Sequence, residues 1–205
     1  MNKAAKTKNT ILDIAERAVF QKGFGATSIE EIIAEAGITK SGFFYHFKDK
    51  NELAKALLIR YTEIENEILD ELFDRGKTLH DDPLHAFLIS LNLLAEMMEN
   101  IEEGHPGCMV ATYCYQERLF NKEVVSLYKQ TALGWRARFL SSLQDINDKY
   151  PLNEDVALSD LADMVSAVID GGIVLSKAMH EPNILARQIR LYRSYIKLLF
   201  LPKPA

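Results

Sequence analysis

The chain has 205 residues, 48% of them apolar, which is enough for a sizeable core in one large domain or in a small domain fused to a larger one. The longest apolar runs fall well short of the roughly 18 residues that a membrane-spanning helix needs, and two cysteines imply no disulfide framework. The formal net charge of −5 argues against a nucleic-acid binder, yet residues 1–50 hold eight Lys/Arg against six Asp/Glu while the remainder is acidic, a mildly basic module on an acidic body.

Helical periodicity runs through almost the whole chain. In 6–22, Ile11, Ile14, Ala15, Ala18 and Val19 fall on one face, and Gly23 and Gly25 end the helix. Ser28 and Glu31 have capping-box spacing at the start of a second helix that Gly37 stops. Thr39 caps a short third helix reaching about His46. A fourth runs from Lys50 to about residue 74, where "RGKTLHDDP" marks a break. Asp82 and Pro83 open a fifth that ends near Asn100. Further helices are expected over 108–118, 121–147, 154–180 and from "HEPN" to about Phe200. The fold class is therefore all-α, with about nine helices and no strand. Three short helices fill the first 47 residues and longer ones follow, so 1–50 reads as a compact module, helix four (50–74) as a connector, and 51–205 as a helical bundle.

Helices two and three, joined by "AGI", have the dimensions of a helix-turn-helix. In that arrangement the second helix enters the major groove of DNA with its N-terminal residues leading, here Thr39, Lys40 and Ser41. Lys40 reaches either a guanine edge or a phosphate. Gly42 lowers helix stability by about 1 kcal/mol relative to alanine and permits close approach.

The stretch "TSIEEIIAEAGITKSGFFYHFKDKNEL" resembles the N-terminal DNA-binding region of TetR/AcrR-type transcriptional regulators, from Ala15 to about Leu58. By that resemblance Thr27 or Ser28 contacts phosphate, and Thr39, Lys40, Ser41 and Phe43 face the groove. The family tyrosine that touches phosphate falls on Phe44, which has no hydroxyl, and Tyr45 and His46 beside it supply donors instead. Phe44 and Phe47 then hold the helix to its module, and Lys50 pairs with phosphate. The usual glycine position is Ser41, with Gly42 one place on.

For the body, the resemblance implies a ligand-binding and dimerisation bundle. The last two helices would meet their symmetry mates through Ala167, Gly171, Ile189, Tyr192 and Ile196, with an intrachain contact as the alternative. An unidentified small-molecule effector would be lined by residues drawn from Leu91, Asn92, Met98, Cys108, Met109, Tyr113, Trp135, Phe139, Met164 and Val168. Cys108 opens a helix, a setting that activates a thiol, so a thiol-based electrophile or redox sensor is a further reading. The expected protein is a cytoplasmic, homodimeric repressor on a near-palindromic double-stranded DNA operator. An activator or dual regulator on the same fold is the alternative. No catalytic residue, metal or cofactor is expected, because His80, His85, His105 and His180 are scattered and no nucleophile–base pair occurs. A plain helical protein-interaction module would leave Thr39-Lys40-Ser41 unexplained.

Overall fold

The structure is a computed structural model and describes residues 3–201. It is all-helical across them, as expected: α1 (Lys3–Ala26), α2 (Ile29–Ala36), α3 (Lys40–His46), α4 (Lys50–Leu79), α5 (Pro83–Glu99), α6 (Met109–Tyr115), α7 (Lys122–Lys149), α8 (Leu158–Met179) and α9 (Ile184–Phe200). One 3₁₀ turn, Glu117–Leu119, lies between α6 and α7. No helix is long and apolar enough to cross a membrane.

The glycines explain where the periodicity misjudged helix ends. Gly23 does interrupt α1, at φ 83°, but the chain resumes a final turn to Ala26. Gly76 was expected to lie in a break, yet α4 continues through it to Leu79. A Cβ at Gly76 would sit 2.1 Å from Ser90 Oγ and 2.7 Å from the Ala86 carbonyl, so this glycine lets α5 approach α4 rather than ending the helix. At the other end of the bundle, α8 starts at 158 instead of 154. Asn153 is drawn away to bond the carbonyls of Leu199 and Leu201 at 2.9 and 2.5 Å.

Two compact units are present. The first runs to Ile64 and takes in Gly107–Thr131; the second holds Glu65–Pro106 and the chain from Ala132 onward. The division expected near residue 50 therefore omits α6 and the start of α7, which join the N-terminal helices. In the first unit Ile11, Ile14, Ala15 and Val19 of α1 are buried with Ile32, Phe43, Phe47, Leu53 and Leu57. Tyr113 of α6 is fully buried, donates its hydroxyl to the Ala54 carbonyl at 3.0 Å, and stacks on Phe120 with centroids 4.4 Å apart. Gln116 accepts the Gly25 N–H at 2.8 Å.

The second unit has one core cluster, built from Leu69 and Phe73, Leu84 to Leu91, Phe139 to Ile146, Leu161 to Val165, and the inward face of α9. Gly172 is in close contact with α9, since a Cβ there would come within 2.8 Å of Leu185. Arg193 donates to the Leu88 carbonyl, and Arg190 pairs with Glu99, tying α9 to α5.

Candidate nucleic-acid interface

The α2–α3 pair is built from local rules. Ser28 accepts the Glu31 N–H while Glu31 accepts the Ser28 N–H, both at 3.1 Å, completing the capping box. Gly37, at φ 63°, ends α2: its N–H bonds Ala34 and the Ile38 N–H bonds Ile33, the paired bonds of a left-handed helix stop. Two residues later Thr39 caps α3, its hydroxyl accepting the Gly42 N–H at 3.1 Å and lying 3.0 Å from Ser41 Oγ. Gly42 is thus the third residue of α3, not its middle, and a Cβ there would meet the capping oxygen at 3.3 Å.

With the cap in this place, the faces of α3 are fixed. Phe43 and Phe47 turn inward at 0% and 1% exposure, four residues apart. Thr39, Lys40, Ser41 and Tyr45 face out, Tyr45 at 77%. Phe44 is 42% exposed, packed edge-on to Phe43 at 5.4 Å between centroids. Phe43 and Phe44 therefore exchange the settings expected for them: Phe43 is core, and Phe44 belongs to the outer face. The reason is the phase of a seven-residue helix, in which the residues four apart, Phe43 and Phe47, must share the inward side. His46 is half-buried beside Tyr45, with ring centroids 4.9 Å apart.

Two expected phosphate ligands have other work. Thr27 is 1% exposed and donates its hydroxyl to the Gly23 carbonyl, closing the turn after the α1 kink. Lys50 donates to the Phe24 carbonyl at 2.7 Å and lies 4.6 Å from the centroid of the Phe24 ring. A cation at the C-terminal carbonyls of α1 is favourable there, and the loss of water lowers its pKa. Lys40, by contrast, has a 70% exposed side chain whose nearest acid is Glu30 at 3.8 Å, a pair of little strength in water. Glu31 is held below the usual carboxylate range, first by Lys22 and then by the Ser28 N–H.

These features match known proteins. Residues 11–57 match the model of the bacterial regulatory proteins, tetR family. The chain is 23% identical over 92% of its length to the uncharacterized HTH-type transcriptional regulator YxaF of Bacillus subtilis, covering 96% of that protein. Over 50 residues it is 44% identical to the HTH-type transcriptional regulator AcrR of Shigella flexneri, 24% of this chain and 23% of AcrR. Through residues 11–57 the chain carries the tetR-family helix-turn-helix region. Its fold is shared with a TetR-family regulator from Agrobacterium tumefaciens at a TM-score of 0.78 and 18% identity, covering 97% of this chain and all of that one. The relatives it matches are transcriptional regulators, a class of DNA-binding proteins and not of enzymes.

The residues expected to line an effector pocket are divided between the two units. Cys108, Met109 and Tyr113 lie in the first; Leu91, Asn92, Met98, Trp135, Phe139, Met164 and Val168 lie in the second. Leu91 and Phe139 are core, and Trp135 and Val168 pack on that core while remaining half-buried. Asn92 does not face the interior unpaired, because its amide donates to Glu96 one turn on. Met164 is 36% exposed. Cys108 is 8% exposed and its sulfur accepts the Ala111 N–H at 3.4 Å, whereas Cys114 is exposed.

The expected dimer residues also split. Ile189, Tyr192 and Ile196 are at most 2% exposed, and Tyr192 donates to the Leu161 carbonyl at 2.9 Å, so they hold α9 to its own chain. Ala167 and Gly171 are exposed, and nothing lies within 4 Å of a Cβ built on Gly171. The outward stripe that continues them is Met164, Leu175 and Met179 on α8 with Leu191, Tyr195 and Leu198 on α9. The resemblance put Ile189, Tyr192 and Ile196 at the partner, and the core of their own unit holds them instead.

One cluster absent from the sequence reading is His80, Asp82 and His85, whose potential ligand atoms lie within 4.8 Å of one another. Its hydrogen bonds make it a polar hub. Asp82 accepts from His85, Lys149 and Tyr150 at 2.8, 2.7 and 2.6 Å, and His80 Nδ1 accepts the Asp82 N–H. Every carboxylate lone pair a metal would need is already engaged. Burial opposes ionisation of Asp82, but Lys149, Tyr150 and His85 together hold its pKa well below the usual range.

Proposed function

We propose that the protein is a homodimeric repressor that a small-molecule effector releases from a near-palindromic operator. One observation carries the DNA-reading part: α3 presents Thr39, Lys40, Ser41 and Tyr45 to solvent on a helix whose other side is anchored by Phe43 and Phe47. Lys40 and Ser41 meet base edges, while Tyr45 and the half-buried His46 supply the phosphate donors that Phe44 lacks. Ser28 is half-buried and occupied as the cap of α2, with Glu30 and Glu31 in the first turn beside it. Thr27 and Lys50 support the module from behind.

TetR-family regulators act as dimers, and the apolar stripe on α8 and α9 fits a second copy of the chain. Two α3 helices about 34–36 Å apart then read two half-sites one helical turn apart, which is why the operator is near-palindromic. The effector binds in the second unit. Selection of bound sequences from a random DNA pool tests the reading: a two-fold symmetric site supports it, and an asymmetric or absent consensus sinks it. Transcription in vitro from a promoter bearing the selected site distinguishes repressor from activator. The thiol-sensor reading through Cys108 draws less support, because that sulfur is buried and occupied as a helix cap.

A further inference from the structure

From its cap onward, α3 turns Thr39, Lys40, Ser41, Phe44 and Tyr45 outward. The hydrogen-bonding groups they offer do not suit the four base pairs equally. Thr39 Oγ1 accepts the Gly42 N–H at 3.1 Å and lies 3.0 Å from Ser41 Oγ. One of the two hydroxyl protons is used between them, and one is left to face outward. A hydroxyl both gives and accepts, so it serves several bases alike. Lys40 only donates, and no Asn, Gln, Asp or Glu stands anywhere in 39–45. The face therefore lacks the amide that pairs with adenine and the carboxylate that accepts from cytosine. Its one strongly discriminating group is an ammonium. Two acceptors side by side satisfy it, and a neighbouring donor repels it. In the major groove that pair of acceptors is N7 and O6 of guanine, whereas adenine sets a donor beside its N7.

The neighbour of Lys40 decides between a base and a phosphate. Glu30, in the first turn of α2, stands 3.8 Å from Lys40 Nζ. Both side chains are well exposed, so the pair is loose and Lys40 is able to extend from it. The carboxylate stays beside the ammonium all the same. A full negative charge there opposes a phosphodiester at the same place, while a base edge brings only partial charges.

Phe44 lies one turn beyond Lys40 on the same side of the helix. The buried Phe43 holds its ring edge-on, and 42% of its surface stays open. An exposed ring fixed in this way suits the methyl group of thymine. One helical turn advances about 5.4 Å, against roughly 3.4 Å per base along a DNA strand. We propose that each operator half-site holds a guanine whose N7 and O6 receive Lys40, and within about two base pairs a thymine whose methyl group meets Phe44. Glu30 keeps Lys40 from the phosphates. The assignment rests on the proposal that α3 enters the groove, and it names what α3 meets there.

The full-length protein, Lys40→Gln and Phe44→Ala are each used to select sites from a random DNA pool. Wild-type half-sites are expected to share a guanine with a thymine close by. Lys40→Gln supplies an amide that donates and accepts, so it should exchange that guanine for adenine, a gain that a misfolded variant cannot produce. Phe44→Ala should lose preference at the thymine alone. On the selected site, 7-deazaguanine removes N7 and should weaken wild-type binding about tenfold while leaving Lys40→Ala indifferent. Uracil in place of the thymine removes one methyl group and should cost about threefold in the wild type and nothing in Phe44→Ala. Glu30→Gln should raise affinity for unrelated DNA more than for the selected site. A guanine preference that survives in Lys40→Gln, or equal binding of the 7-deazaguanine site, overturns the guanine assignment. Wild-type indifference to uracil overturns the thymine one. A two-fold symmetric site with no base set by Lys40 keeps the operator-binding function and sinks this proposal, whereas no shared sequence at all sinks both.

Discussion

Helices α3 and α9 are built alike and end in different partnerships. Each anchors one side in its own unit with aromatic and aliphatic residues: Phe43 and Phe47 in α3, Ile189, Tyr192 and Ile196 in α9. Their outer faces differ in kind. That of α3 carries short hydroxyls, a lysine and a tyrosine, which suit a hydrated polyanion. That of α9 carries Leu191, Tyr195 and Leu198, which suit a second apolar surface. The inward face of a helix fixes its position, and the outward face selects what meets it. Aromatics and cations alone give neither, because both helices contain them.

The strongest way to break this comparison is to make the outer face of α9 resemble that of α3. Leu191→Asp combined with Leu198→Asp is expected to give monomers by analytical ultracentrifugation with an unchanged circular dichroism spectrum. Affinity for a two-half-site operator should fall by about a hundredfold or more, since one half-site then binds without its partner. A dimer that persists would place the partner surface elsewhere. Next in size is the inward face: Phe43→Ala should destabilise the first unit by about 3–5 kcal/mol in urea unfolding. A loss of sequence preference with stability intact would return Phe43 to the groove.

The two lysines sharpen the same contrast within one module. Lys40→Ala should weaken DNA binding roughly tenfold and relax the sequence preference of the half-site, because Lys40 meets a base edge. Lys50→Ala should instead cost about 1 kcal/mol of stability and leave the salt slope unchanged, because Lys50 is spent on the α1 carbonyls. An unchanged sequence preference in Lys40→Ala, or weakened DNA binding with intact stability in Lys50→Ala, would erase the division. The smallest effect concerns acid. Asp82 has a folded pKa below its ordinary value of 3.8, so it stays ionised in the fold where the unfolded chain takes up a proton. Its contribution is therefore present above the unfolded value and fades as pH falls toward the folded one. Asp82→Asn should flatten the loss of stability below about pH 4, measured by urea unfolding across pH.

Helix existence, order and most caps were legible in the sequence, because Ser28, Gly37, Thr39 and Asp82 act through atoms within a few residues of themselves. The exposure of Thr39, Lys40 and Ser41 at the start of α3 was legible for the same reason. What escaped needed a neighbour far along the chain. Gly76 looks like a stop until Ser90 and Ala86 are set against it, and Lys50 looks available until the Phe24 carbonyl reaches it. Phe43 and Phe44 were exchanged because a one-residue shift of phase in so short a helix reverses inside and outside.

The contact between Gln116 and Gly25 has a consequence for how the protein is made. The N–H of Gly25 waits for an acceptor encoded 91 residues later, and Phe24 waits for Tyr113 and Phe120. As the chain leaves the ribosome, α1 to α3 emerge first, yet their unit stays incomplete until the segment near residue 120 has followed. A nascent DNA-reading module is thus withheld from its finished form until more than half of the polypeptide exists, and a fragment cut at residue 50 would end translation with that surface bare.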